Sequence, residues 1–255
     1  EGETKTVAYL EEQFKDMGAE PGNGNSFFQE VPLVNITCLA DPTMEITTSE
    51  GSISLKGFDD YILYSEKAEP SQKLDASDIV FAGYGIVAPE YDWNDYENLD
   101  VKGKVVLVMV NDPGYGTQDE TLFKGNTMTY YGRWTYKYEE AARQGAAACL
   151  VIHNTAAASY PFSVVQNNWN SPALRLDNRG KEEALCDMVG WISEPATLKI
   201  LEAAGLDKSV FEKANSKDFK SISTGLNANT SLTAKYNYST SKNVIAKVTG
   251  SKHPN

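Results

Sequence analysis

Six consecutive apolar residues, Val105 to Val110, follow Lys104 and end at Asn111. A run this short and this continuous reads as a strand buried on both faces, since a strand with one face in water alternates apolar with polar residues. A second such run lies in AACLVIHN, residues 147–154, and between the two YKYEEAARQGA reads as a short helix stopped by Gly145. Strand, crossover helix and strand make one parallel unit, and such a unit must be covered on both faces. A chain of 255 residues, 41% of them apolar, is long enough to supply that cover as one large or two modest domains.

The rest of the chain reads as mixed elements around this unit. Val7, Leu10, Phe14 and Met17 mark one face of a helix over residues 3–17, with Gly18 as its stop. FFQEVPLV has strand composition, and Pro32 suggests an edge or a strand end. MEITTS and SISLKG, broken by Gly51 and Gly57, read as a meander of short strands. Ser193 caps a helix that runs to Ala204 and stops at Gly205, and Asp207 caps another carrying Val210, Phe211 and Ala214. SLTAKYNY and NVIAKVTG read as two terminal strands.

Charge and composition exclude several classes. With 23 Lys and Arg against 35 Asp and Glu the net charge is −12, which repels phosphate backbones and anionic membranes, so no nucleic-acid partner is expected. No stretch approaches the roughly 18–20 apolar residues of a membrane-spanning helix, and the polar start at Glu1 lacks the apolar region of a signal peptide. A first residue other than Met suggests a processed or cut segment. Three cysteines, Cys38, Cys149 and Cys186, are too few for a disulfide scaffold and too scattered for a zinc ribbon. The two histidines form no His-Glu-x-x-His helix, and there is no Gly-x-Ser-x-Gly elbow.

Four features have a chemical reading beside a structural one. GYGIVA, residues 83–88, has the spacing of a dinucleotide-binding loop, but Pro89 stands where the phosphate-binding helix should begin, so Gly83 and Gly85 read as a tight bend. Glu90, Asp92, Asp95, Glu97 and Asp100 lack calcium-loop spacing and read as a solvated loop pinned by Trp93 and Tyr96. His153 reads as a strand-end histidine and Cys149 as a small core residue. The fourth is TMTYYGRWTYKYE, residues 127–139, which concentrates Tyr130, Tyr131, Arg133 and Trp134 with Tyr136 and Tyr138. Amphipathic rings and one guanidinium suit a binding surface, because they offer contact area with polar tips and a fork for a carboxylate. A packed junction between loop and helix has the same composition, and both readings stay open. The loop from Asn111 to Trp134 is long and polar, so it is expected at the surface.

Three segments, taken together, resemble a known family. EGETKTVAYLEEQFKDMGAEPGNGNSFFQEVPL resembles the first helix and strand of the di-zinc aminopeptidases in the transferrin-receptor and glutamate carboxypeptidase superfamily. DIVFAGYGIVAPEYDWNDYENLDVKGKVVLVMVNDPG and YYGRWTYKYEEAARQGAAACLVIHN resemble the protease-associated domain inserted in many of them, and SKNVIAKVTGSKHPN resembles the strand that follows. The resemblance implies a mixed α/β chain: residues 1–34 as the first helix and strand of a peptidase domain, 35–239 as a β-rich protease-associated insert, and 240–255 as the next peptidase strand. It implies a zinc-dependent aminopeptidase with two zinc ions, whose His-x-Asp ligands would follow Asn255. Neither His153 nor His253 matches a family ligand, so no catalytic and no metal residue is assigned here. The expected function is a lid or access element, with Tyr130, Tyr131, Arg133 and Trp134 as substrate-binding residues. Its expected partners are the missing peptidase domain and a peptide. The alternative is a free-standing peptide- or glycan-binding module without catalysis. The family also implies a secreted, periplasmic or surface location, where Asn-x-Ser/Thr sites at Asn35, Asn229 and Asn237 count only in a glycosylating host.

Overall fold

A computed structural model describes residues 1–181 and 184–252. The chain is mixed α/β and β-rich, and it divides into two compact units: residues 1–35, 174–180 and 237–255, and residues 36–173 and 181–236.

In the first unit a helix runs over Gly2–Asp16, where i, i+4 pairs join Lys5 to Glu1 and Lys15 to Glu11. None of its residues is buried: on the expected apolar face Val7 and Phe14 are half-buried, and Leu10 and Met17 are exposed. Gly18 reverses the chain at φ +75°, with the Ala19 amide donating to the Phe14 carbonyl. Glu20–Pro21 then pairs antiparallel with Ala246–Lys247. Gly22 lies against Ile245 so closely that a Cβ would sit 2.9 Å from its carbonyl carbon. Ile245 is therefore the break between strands: SLTAKYNY and the Asn243–Val244 pair belong to one strand, Ile222–Val244. The polar run YSTSKN suggests a break in sequence, but it holds no Gly or Pro to stop an extended chain, and the strand continues through it. The short strand Pro172–Leu176 carries no sequence signal beyond its three apolar residues besides Pro.

The second unit is built on a sheet. Its strands are β1 (Tyr61–Tyr64), β2 (Ser71–Phe81), β3 (Val105–Met109), β4 (Ala148–His153) and β5 (Met188–Ser193), in the order β2-β3-β4-β5-β1. The first three junctions are parallel and the last is antiparallel. Val106 faces Val80 on one side and Cys149 on the other, so the two buried runs of the sequence are adjacent. All six residues of β4 are buried. Gly190 in β5 has no alternative, because a Cβ there would lie 2.0 Å from the Ile62 carbonyl oxygen. Helix α1 (Trp134–Arg143) crosses from β3 to β4, and Tyr138, Ala141 and Ala142 join the core cluster with Val106, Val108 and Val151. Helix α2 (Glu194–Ala203) follows β5, capped by the Ser193 hydroxyl, which accepts from the Ala196 amide. The meander forms the antiparallel hairpin Thr43–Thr48 with Gly51–Lys56.

Candidate functional site

The segment between β3 and α1 is closed at its base by backbone-directed polar contacts. Asn111 adopts the left-handed conformation at φ 71°, and its side chain donates to the Ala157 carbonyl at 3.0 Å. The Asp112 carboxylate accepts from both the amide and the hydroxyl of Thr129, at 3.0 and 2.7 Å. Gly132 returns the chain, and its carbonyl accepts from the Asn111 amide at 3.1 Å. A Cβ on Gly132 would lie 3.0 Å from an Asp112 carboxylate oxygen, so the closure depends on glycine there.

Under this closure lies a lysine. Lys137 of α1 is fully buried, and its Nζ donates to the Asn111 carbonyl at 2.9 Å and lies 5.6 Å from the centre of the Tyr84 ring. Burial pushes the ammonium down to about 7, while the charges of Asp95 and Asp112 work against that shift. Asp95 is buried as well and is pushed up to about 6 by desolvation. Its two oxygens accept from the Ile86 amide at 2.9 Å and the Trp93 indole at 3.0 Å. The acidic stretch is thus not wholly solvated: Trp93 and Tyr96 are buried in it, but Asp95 is drawn inside as well, where it accepts from a backbone amide and an indole and faces the charge of Lys137. One oxygen of Asp112 is buried without a hydrogen-bond partner among the described residues.

Above the clamp the aromatic residues divide into packed and exposed. Phe123 is fully buried, stacked on Tyr91 at 4.2 Å, with Trp93 and Tyr131 meeting it edge-on. The segment therefore does not lie wholly at the surface, because Asn111, Asp112 and Phe123 fold beneath it. The Tyr131 hydroxyl donates to Glu90 at 2.6 Å, which pushes the phenol up to about 12 and holds Glu90 below its ordinary range. Tyr130 donates to Glu139 at 2.5 Å, and its ring meets Tyr136 edge-on while remaining 54% exposed. Trp134 packs edge-on against Tyr138 and is 38% exposed. Arg133 is exposed, and its side chain makes no hydrogen bond or ion pair among the described residues. Tyr130, Arg133 and Trp134 thus stand out from a base in which Tyr131, Tyr136 and Tyr138 are packed.

Sequence reading missed Lys137, Asp95 and Asp112 as structural charges. A signal was present for the first: Trp134, Lys137, Tyr138 and Ala141 fall on one helical stripe, so the lysine occupies an apolar position. Gly83 and Gly85 both take positive φ, and a Cβ on Gly85 would meet Val108 at 2.6 Å, in keeping with a tight bend. His153 ends β4 in a ring of Tyr160, Phe162 and Trp191, and burial pushes its imidazole down. Cys149 is buried in the core, and burial pushes its thiol up. His253 lies outside the described residues. Among the described residues no group of three or more His, Cys, Asp or Glu could hold a metal ion. Nor is any helix among them long and apolar enough to cross a membrane.

Comparisons with known proteins bear on this arrangement. No curated protein matches the chain. Among solved structures it is similar to an aminopeptidase from Aneurinibacillus sp. strain AM-1, with 20% identity over 98% of this chain and 43% of that one, at a TM-score of 0.39. It is also similar to BSAP, a zinc aminopeptidase from Bacillus subtilis, with 14% identity over 96% of this chain and 40% of that one, at a TM-score of 0.29. The chain spans less than half the length of either. Residues 76–183, which hold β3, β4, α1 and the clamped aromatic segment, match the family model of the PA domain.

Proposed function

We propose that this chain is the protease-associated part of a zinc-dependent aminopeptidase, acting as a lid that admits peptides and holds them by the aromatic segment. The observation that carries the reading is the exposed trio Tyr130, Arg133 and Trp134 on a rigid base, within the residues that match the PA domain. A loop clamped by Asp112 and Lys137 presents its side chains with little ordering left to lose on binding, which favours recognition. Arg133, free of ion pairs among the described residues, offers a planar fork to a peptide carboxylate. Tyr130 and Trp134 offer ring faces to an apolar side chain.

In this reading residues 1–34 and 240–255 belong to the peptidase domain, and the catalytic zinc pair is supplied by sequence outside this chain. A secreted, periplasmic or surface location belongs to the same proposal and rests on the family resemblance. In the enzyme that carries both parts, Arg133→Ala and Trp134→Ala raise KM severalfold and leave kcat nearly unchanged, because the lost contact is made equally in ground and transition states. Wild-type KM and kcat in both variants, on peptides of several lengths, would refute the lid role. Peptide or glycan binding by the chain in a protein without peptidase activity would favour the free-standing module.

A further inference from the structure

The carboxyl ends of β3 and β4 open onto a cavity of about 250 Å3, whose lining includes Tyr84, Tyr115 and Gly116 but none of Tyr130, Arg133 and Trp134. Ligands of parallel sheets characteristically sit outside the carboxyl ends of the strands. Met109, Val110, Ile152 and Phe211 give the lining an apolar part, and Glu194 and Glu212 add two carboxylates, with no Lys, Arg or His among the lining residues. Glu194 is held in place: one oxygen accepts from the Asn154 side-chain amide at 2.7 Å, and Asn154 is itself fixed by the Ala156 and Ala157 amides, each at 3.1 Å. Its other oxygen makes no hydrogen bond among the described residues. The Tyr84 hydroxyl donates to Asn215 at 2.8 Å, and Gly116 packs on that pair so tightly that a Cβ would lie 2.1 Å from the Asn215 oxygen.

Glu194 and Asn154 also line an adjoining hollow with Asp59, Asp60 and His153. Asp60 is partly offset by Lys199 at 3.6 Å, and burial pushes the His153 imidazole below its ordinary range. An anion would enter against these carboxylates. A neutral apolar molecule would strip water from Glu194 without giving a donor in return, which is costly. An ammonium group satisfies the free oxygen with a charge-assisted hydrogen bond, and a compact hydrocarbon beside it covers the apolar lining.

We propose that this cavity binds a primary ammonium group carried on a compact apolar body. The same chemistry has two sources, a small free amine and the amino terminus of a peptide that begins with an apolar residue. None of Tyr130, Arg133 and Trp134 lines the cavity, and the test separates the two sources.

Isothermal titration at neutral pH and low salt with 2-phenylethylamine should give saturable one-to-one binding, and N-acetyl-2-phenylethylamine should give none. Glu194→Gln should weaken the amine about tenfold or more, the scale of one charge-assisted hydrogen bond. Glu212→Gln, at an exposed position, should weaken it less. Arg133→Ala should leave it unchanged. A Phe-Ala-Ala-amide peptide that binds tighter than the free amine identifies the amino terminus as the source; weaker binding identifies a small amine. Absence of saturation up to about 10 mM amine would overturn the proposal, that concentration lying well above millimolar affinity. So would equal binding of the acetylated compound, or full affinity in the Glu194→Gln, Glu212→Gln double variant.

Discussion

Two helices of this chain carry striped sequences and meet opposite fates. The N-terminal helix has Val7, Leu10 and Phe14 on one face, yet none of its residues is buried, and Leu10 is 39% exposed. Helix α1 has a mixed stripe with a lysine in it, yet Tyr136, Lys137, Tyr138, Glu140, Ala141 and Ala142 are all buried. Periodicity selects the face that a helix would bury. Burial itself needs a partner surface, and β3 and β4 provide one because their own faces must be covered. The cover is good enough to take an ammonium out of water, which the N-terminal helix nowhere does.

The largest expected effect breaks the buried helix. At about pH 6.5, Lys137→Ala leaves the Asp95 and Asp112 carboxylates buried without their cation, and should cost about 3–5 kcal/mol in urea denaturation. Phe123→Ala, which empties the space between Tyr91, Trp93 and Tyr131, should cost about 3–4 kcal/mol by the same measurement. A loss under about 1 kcal/mol in either would mean that the segment is not clamped as described.

The pH dependence of stability is a finer probe of the same contrast. Asp95 is raised from 3.8 to about 6, so between those values the folded state holds a proton that the unfolded state has released, and stability falls as pH rises. Lys137 is lowered from 10.5 to about 7, so above about 7 the unfolded state holds the extra proton, and stability rises with pH. Their joint contribution is lowest between about 6 and 7. Asp95→Asn should remove the acid-side slope, read as the difference from wild type in urea midpoints from pH 4 to pH 6. The smallest effect belongs to the other helix: Leu10→Ala should stay within about 0.5 kcal/mol of wild type, as substitutions outside a core do.

The parallel unit was legible because Val105–Val110 and the AACLVIHN run are long enough to exclude one-faced strands, and Gly145 marks the end of the helix between them. The caps at Ser193 and Gly205 were legible for the same reason, since each is a local contact. The clamp was not, because it joins Asp95, Asp112 and Lys137 across distances in sequence that no local pattern encodes. Glu194 and the amine cavity were hidden likewise: Glu194 reads as an ordinary residue in a first helical turn, and only the fold brings it to Asn154 and the end of β4. Tyr130, Tyr131, Arg133 and Trp134 could be singled out by composition, but composition does not tell which of those rings are packed. Tyr131 is drawn into the stack by Phe123, a residue with no neighbours of its kind in sequence.

In the proposed function the exposed trio binds peptide through a carboxylate. Calorimetric titration of the chain with an apolar pentapeptide, as the free acid and as the C-terminal amide, measures this directly. The acid should bind saturably, the amide should bind about tenfold more weakly, the scale of one charge-assisted pair, and the two should not differ in Arg133→Ala. Equal affinity of acid and amide for the wild-type chain, or an unchanged difference in Arg133→Ala, would contradict it.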